Sequence, residues 1–368
     1  MKLRFNREEM ADALAMVCQV TAVRTPKEIL KCVRIEAKPD VLLLSATDLE
    51  IGLRYAVTQI EVDKPGETVV LADTLNRIVR ECADEVLVFE MRDTTLHVRG
   101  AGSHFKVVTQ SPSDFVPVAG MDEDPDLTID LALLRRLIEW TLFAAAREST
   151  RYAINGVLWE VTGERLLLAA TDGRRLSLAK GKAKIRQGAS VPTAIVPVKA
   201  LSLLNRMTAE PDSAALVKVT PNQLRLKVGG VVVSTSLIEG HFPKYEDVIP
   251  TDANRRVELN TVDFHSALKR AALLTNEESK GVRLSFGDGS LTLSSRAPEQ
   301  GEAEITIPIE YTGETVDIGF NPVFLMDIVR VAHEDVMRFD FSEPNRPGVM
   351  RVGDDFVYVV MPVNLSSA

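Results

Sequence analysis

Between Thr150 and Lys180 the apolar and polar positions fall into short strand-like runs separated by turn residues. Two apolar runs, Ile154 to Val161 and Arg165 to Ala170, flank Thr162-Gly163-Glu164, and a second turn at Asp172-Gly173 leads into Leu176 to Ala179. Short runs bounded by turn residues predict an antiparallel meander. An Asp-Gly pair tolerates the positive φ that a tight hairpin demands, so the local reading of Thr171-Asp172-Gly173 is turn chemistry.

The N-terminal third carries a longer version of the same design. A strand at Lys2 to Phe5 precedes a helix that Asn6 caps, with Glu9 completing a capping box and Met10, Ala13, Leu14 and Val17 on one apolar face. Strands follow at Cys32 to Ala37, Val41 to Ser45 and Ile51 to Val57. Val69 to Ala72 then leads into a helix, Asp73 to Cys82, with Leu75, Ile78, Val79 and Cys82 on its buried side, and strands at Glu85 to Met91, Thr95 to Arg99 and Phe105 to Thr109 close the unit.

That order of elements returns twice. Helix caps recur at Asn6, Asp130 and Asn260, a polar turn after a buried strand at Asp48, Asp172 and Ser295, and a helix-ending arginine at Arg80, Arg206 and Arg330. The spacings all fall near ~125 residues, far above the repeat of a solenoid, so each unit is expected to be a domain with its own core. Acidic, Pro-containing stretches at Ser111 to Asp126 and Pro243 to Arg256 set the boundaries, giving domains 1–121, 129–250 and 256–368. Two helices and many short strands per unit make the class α+β with largely antiparallel sheets.

Composition narrows the function. Hydrophobic residues at 45% and charged residues at 26% suit a globular protein, and no apolar run approaches a membrane span, so no membrane partner is expected. The opening Met1-Lys2-Leu3-Arg4-Phe5 has no signal-peptide core, which predicts a cytoplasmic protein. Cys18, Cys32 and Cys82 are too scattered for a disulfide framework or a zinc set, and the 5 histidines lack metal-ligand spacing. With no phosphate loop, dinucleotide fingerprint or nucleophile elbow either, no cofactor, metal or catalytic residue is expected. A net charge of −9 argues against a protein that merely coats nucleic acid, while leaving room for a basic face.

Seven stretches in order then resemble one family. They are Met1-Lys2-Leu3-Arg4-Phe5-Asn6-Arg7-Glu8-Glu9, Ala46 to Glu50, Thr150-Arg151-Tyr152 through Gly156, Ala170 to Leu176, Phe242-Pro243-Lys244-Tyr245 with Val248-Ile249-Pro250, Gly281 to Leu284, and Tyr358 to Pro362. The chain resembles the bacterial DNA polymerase III beta subunits, the replication sliding clamps, over essentially its full length. The resemblance implies three clamp domains per chain and two chains head to tail in a ring, with helices lining a hole for duplex DNA. It implies a processivity factor that needs no nucleotide itself and is opened by an ATP-driven clamp loader. Its partners would be the replicative polymerase, the loader and repair proteins, docked through short Leu/Phe peptides.

Arg24, Tyr152 and Lys199 resemble residues with which the family touches DNA, and the repeated Arg80, Arg206 and Arg330 fit the same role. A cation near a helix C-terminus also offsets the helix dipole whatever the partner, and Tyr152 reads equally as a strand-packing aromatic. The family's peptide cleft, carried over residue by residue, is walled here by Ile154, Thr171, Gly173, Arg174, Arg175, Leu176, Pro243 and Val248, and by Val359, Val360, Met361, Pro362 and Val363. Alternate residues of that last run also read as core. Asp247, Arg174 and Val363-Asn364 depart from the familiar pattern, and the chain continues through Ser366-Ser367-Ala368, which bears on the preferred peptide.

The resemblance assigns the subunit contact to Phe105, Leu273 and Leu274, which otherwise read as core. Glu299, Glu302 and Glu304 are available to pair with Arg99 and Lys106 across it. Two other readings stand beside the clamp. One is an enzyme using Asp48 and Asp172 as an acid–base pair, against which their equivalent places in separate domains argue; the other is an acidic peptide-binding adaptor that never encircles DNA.

Overall fold

The computed structural model describes residues 1–147, 153–207, 212–275 and 281–364. Tyr152 and the terminal Ser366-Ser367-Ala368 lie outside the described residues. The first repeat runs β1 (Lys2–Asn6), α1 (Arg7–Cys18), β2 (Cys32–Lys38), β3 (Val41–Thr47), β4 (Ile51–Val57), β5 (Ile60–Lys64), β6 (Gly66–Leu71), α2 (Ala72–Glu81), β7 (Val86–Arg92), β8 (Thr95–Arg99) and β9 (His104–Val108). The second runs β10 (Leu127–Asp130), α3 (Leu131–Leu142), β11 (Gly156–Thr162), β12 (Arg165–Thr171), β13 (Arg175–Lys182), β14 (Lys184–Ile185), β15 (Ala194–Pro197), α4 (Val198–Asn205), β16 (Ala214–Val219), β17 (Gln223–Val228) and β18 (Val231–Ser236). The third runs β19 (Arg255–Asn260), α5 (Thr261–Ala271), β20 (Val282–Gly287), β21 (Ser290–Ala297), β22 (Gly301–Pro308), β23 (Val316–Phe320), α6 (Pro322–Val331), β24 (Val336–Phe341), β25 (Gly348–Val352) and β26 (Phe356–Val360).

Two compact units result, Met1–Ala132 with Ala183–Leu237, and Leu133–Lys182 with Ile238–Ala368. The first unit holds a sheet of order β5-β1-β7-β8-β9 and a larger one of order β14-β10-β16-β17-β18-β4-β3-β2-β6. The second holds the run β11-β12-β13-β26-β25-β24-β19 and a sheet of order β22-β21-β20-β23. Each unit therefore contains a joint at which the last strand of one repeat pairs antiparallel with the meander of the preceding one. In the first unit β18 lies on β4, with Val231 opposite Tyr55 and Thr235 opposite Ile51; in the second β26 lies on β13, with Phe356 opposite Ala179 and Val360 opposite Arg175. Hydrogen-bonded ladders continue across these joints as they do inside a repeat, so the middle repeat is shared between the two units.

The predicted amphipathic faces are the core. Met10, Ala13, Leu14 and Val17 of α1 are fully buried, as are Leu75 and Val79 of α2, and α1 packs on α2 as α5 packs on α6. Each fully buried Leu or Phe of such a layer stabilises by about 1.5–3 kcal/mol relative to exposure. Asn6 caps α1 by accepting from the Glu8 and Glu9 amides at 3.0 and 3.1 Å, and Asn260 caps α5 through the Asp263 amide at 3.0 Å.

Two details differ from the expectation. Glu9 does not return to the Asn6 amide; its carboxylate accepts from the Thr58 and Gln59 amides at 3.2 and 3.0 Å, while Asn6 N–H donates to the Gln59 carbonyl. The loop before β5 comes within reach of Glu9 and takes the bond that a free helix would close on itself. Ser295 is not in a turn. It sits inside β21, buried, and its hydroxyl donates to the Ala271 carbonyl at the end of α5, while the turn lies beyond the closing pair Ala297 and Gly301.

Candidate functional site

Thr47-Asp48-Leu49 and Thr171-Asp172-Gly173 fold into the same turn. Asp48 Oδ1 accepts from the Glu50 and Ile51 amides, and Asp172 Oδ1 accepts from the Arg174 and Arg175 amides. Thr47 and Thr171 each donate to the carbonyl four residues on, Ile51 and Arg175, and accept the amide two residues on. The left-handed position holds Leu49 (φ 82°) in one and Gly173 (φ 86°) in the other. Each aspartate is thus committed to its own turn, which removes the geometric basis for an acid–base pair.

What differs is what covers the turn. At Gly52 a Cβ would meet Ser234 Oγ at 2.7 Å and Val118 Cγ1 at 2.8 Å, so the space beside the first turn is filled. The equivalent of Gly52, as the residue closing the hairpin, is Leu176. Beside it lies an open cavity of about 250 Å3, lined by Ile154, Thr171, Gly173, Arg175, Leu176, Pro243, Lys244, Tyr245, Val248, Val359 and Met361. Ile154, Leu176 and Val359 are buried in its walls, whereas Val248 and Met361 are 50% and 43% exposed at its mouth. Such a mostly apolar hollow with few polar groups suits the side chains of a docking peptide.

Strand alternation sorts the C-terminal run. Val359, directly opposite Leu176, and Met361 face the cavity, while Val360 is fully buried on the other side of the ladder. Pro362 and Val363 line an adjoining cavity of about 670 Å3 that shares Met361 and adds Arg283, Asp317, Gly319, Pro344, Asn345 and Asn364. The tail is pinned there by Met361 N–H to the Arg174 carbonyl (2.9 Å) and Val363 N–H to the Gly319 carbonyl (2.8 Å). Arg174 is exposed and does not line either hollow; its carbonyl, not its charge, serves the site.

Arg175 is held on all sides. Nε donates to Asp172 (3.0 Å), Nη1 to Asp327 of α6 (2.7 Å) and Nη2 to the Phe143 carbonyl (2.7 Å), and the guanidinium lies 4.4 Å from the centre of the Phe324 ring. Burial alone would lower its pKa, but Tyr358, Asp327 and Asp172 outweigh that and hold the guanidinium above its usual value. Arg175 is therefore a brace between β13, the Phe143 carbonyl just past α3, and α6 rather than a free charge for a ligand. The cation available at the cavity is Lys244, which is exposed; Asp247 is exposed nearby but does not line it. The sequence reading missed Lys244 and Tyr245 as walls, although both stand in the Phe242-Pro243-Lys244-Tyr245 motif. Tyr245 is fixed by its hydroxyl on Glu160 (3.1 Å), and burial, then Glu160 and Glu246, raise its pKa.

The DNA-contact candidates lie in several elements. Arg80 lies in the last turn of α2, Arg206 is the C-cap of α4 and Arg330 lies in the last turn of α6, all exposed, with Arg330 3.7 Å from Asp327 of its own helix. Each lies where a cation offsets the helix dipole by about 0.3–1 kcal/mol. Arg24 is exposed in the loop after α1, and Lys199 is ion-paired with the buried Asp48, a contact that a phosphate would have to compete with. Of the subunit-contact candidates, Leu273 is 75% and Phe105 37% exposed, so neither is core in the single chain. Leu274 is partly buried, close over Gly301 at the start of β22.

Among the described residues no group of three or more His, Cys, Asp and Glu could hold a metal ion, and no helix is long and apolar enough to cross a membrane. Three family models match the chain in order: DNA polymerase III beta subunit, N-terminal domain over residues 1–119, central domain over 128–244 and C-terminal domain over 246–364. The beta sliding clamp of Pseudomonas aeruginosa is 32% identical over 368 residues, covering 99% of this chain and 100% of that protein. A crystal structure of the P. aeruginosa sliding clamp bound to griselimycin superposes with a TM-score of 0.93 at 32% identity, covering 99% of this chain and 100% of that one. The sliding clamp of Bacillus subtilis superposes at 0.94 with 26% identity, covering 99% of both chains. Three clamp domains of mixed helix and sheet make this protein a DNA sliding clamp, a processivity factor and not an enzyme. The chain belongs to the DNA polymerase III beta subunit family.

Proposed function

We propose that two copies of this chain close head to tail into a ring around duplex DNA, in the cytoplasm of a bacterium. Through the cleft walled by β13, the end of β26 and the segment 243–248 the ring tethers the replicative polymerase, the clamp loader and repair proteins. The repeats would act as domains 1–121, 129–250 and 256–368. One observation carries the ring: each internal joint sets the last strand of a repeat on the third strand of a neighbouring meander, and the two pieces of a third such joint, β9 and β22, are sheet edges. A head-to-tail dimer uses both. Arg24, Arg80, Tyr152, Lys199, Arg206 and Arg330 would contact phosphates without reading bases, and tethering would act by effective concentration.

The ring is tested by loading the protein onto DNA with its loader and ATP. Retention on closed circles and release after linearisation is expected; equal release from both forms sinks the ring and leaves a peptide-binding adaptor. The joint is tested by Leu273→Ala with Leu274→Ala, which is expected to give a folded monomer. Each leucine buried at the joint should contribute about 2 kcal/mol or more to association, whereas Leu273, exposed in the single chain, adds little to its folding. An intact dimer by light scattering at nanomolar concentration would show that the contact lies elsewhere.

A further inference from the structure

On β8 and β9, His97 Nδ1 and His104 Nε2 lie 2.8 Å apart with their rings stacked at 5.1 Å. His97 is buried and His104 exposed at the edge of the sheet. Because a neutral imidazole has one donor and one acceptor, this contact needs one N–H pointing at one bare nitrogen; one proton added to the neutral pair leaves it intact, and protonation of both rings destroys it. The ladder sets Glu90 of β7 and Lys106 of β9 on either side of His97 and Arg99 opposite His104, with Arg92 paired to Glu90 close by. Burial first, then His104, Arg92, Arg99 and Lys106, lower the pKa of His97, so in the single chain His97 resists protonation.

The register of the third joint follows from the other two. At both internal joints the residue that opens the last strand faces the residue three beyond the one that closes the meander hairpin. Val231 faces Tyr55, three beyond Gly52, and Phe356 faces Ala179, three beyond Leu176. His104 opens β9 and Gly301 closes the β21–β22 hairpin. The same rule sets His104 opposite Glu304 of a second copy, Phe105 opposite Ala303 and Lys106 opposite Glu302. Both basic positions of β9 thereby meet carboxylates on one face, a match the rule did not assume.

We infer that the His97–His104 pair makes closure of the ring proton-linked: joining β9 to β22 of a second copy brings Glu304 against His104 and Glu302 against Lys106, and the pair takes up a proton. This rests on the head-to-tail dimer proposed above. Proton affinity that is higher in the joined state strengthens the joint below the pair's titration in the single chain. The gain is lost as the pH rises through the titration in the joined one. Acidification toward pH 6 therefore tightens the ring.

The dimer dissociation constant is to be measured by sedimentation with EDTA present, from about pH 8 to about pH 6, the range in which histidine titrates. The full-length chain is expected to dimerise at least about tenfold more tightly at the acid end, as uptake of one proton allows, and His104→Gln to dimerise with a flat profile. Lys106→Glu is expected to weaken the dimer, and Glu302→Lys in the same chain to restore it. A dimer with no pH dependence, or a slope that survives in His104→Gln, overturns the inference while leaving the ring intact. The absence of a dimer at every pH overturns the ring itself and this inference with it. Failure of Glu302→Lys to restore the Lys106→Glu dimer overturns the register.

Discussion

Deleting Met361 to Ala368 is expected to abolish binding of a polymerase-derived peptide and to leave the dimer intact. Met361 is a wall shared by both cavities, and its amide closes the end of the β13–β26 ladder on the Arg174 carbonyl. Removing it opens one side of the apolar hollow. A Leu/Phe peptide that buries ~300 Å2 of apolar surface gains about 7 kcal/mol gross, which ordering and association reduce to micromolar affinity. Loss of even a third of that contact, about 2 kcal/mol, weakens binding roughly fifty-fold. The backbone bonds of Met361 and Val363 go to Arg174 and Gly319, whereas the proposed subunit joint uses β9, β22 and Leu273-Leu274. Fluorescence anisotropy with the labelled peptide, beside sizing of the same truncated protein, checks both halves; unchanged affinity sinks the cleft assignment.

Replacing Arg175 by Met is expected to cost about 3 kcal/mol or more of folding stability, because removing one partner of a buried ion network strands the others. Arg175 and Asp327 are 9% and 17% exposed at their side chains, so water replaces little of what is lost. Asp172 would keep its turn amides but lose Nε, Asp327 would keep the 3.7 Å contact to Arg330 but lose its 2.7 Å one, and the Phe143 carbonyl would lose its donor. Arg175→Lys should recover little, since one ammonium cannot reach three acceptors set around a planar fork. Chemical denaturation of both variants checks this. A loss under about 1 kcal/mol, the worth of an exposed pair, would mean that the network is not the brace described here. Peptide affinity should fall with it, because β13 forms a wall of the cleft.

Apolar spacing at Met10, Ala13, Leu14 and Val17 defined a helix face because it depends only on neighbours one turn apart. The Asn6 and Asn260 caps and the Asp48 and Asp172 turns were legible for the same reason: their bonds span two or three residues. The three-fold order of elements was legible because it is a property of the linear chain, and the family resemblance pointed to Ile154, Leu176, Pro243, Val248, Val359 and Met361, which line the cavity, but also to Arg174 and Val360, which do not. Other features needed the folded chain. Glu9 was drawn from its own helix to Thr58 and Gln59, Ser295 was taken into β21, and Arg175 became a brace because Asp327 and Phe143 converge on it from elements far apart in sequence. Two turns of one geometry carry no local sign of which would border a cavity. That was decided by Val118 and Ser234 packing against Gly52 in one joint and by Leu176, Val359 and Met361 surrounding open space in the other. Local bonds are written in adjacent residues, whereas the presence or absence of a hollow depends on which strands and loops, distant in sequence, the tertiary fold packs side by side.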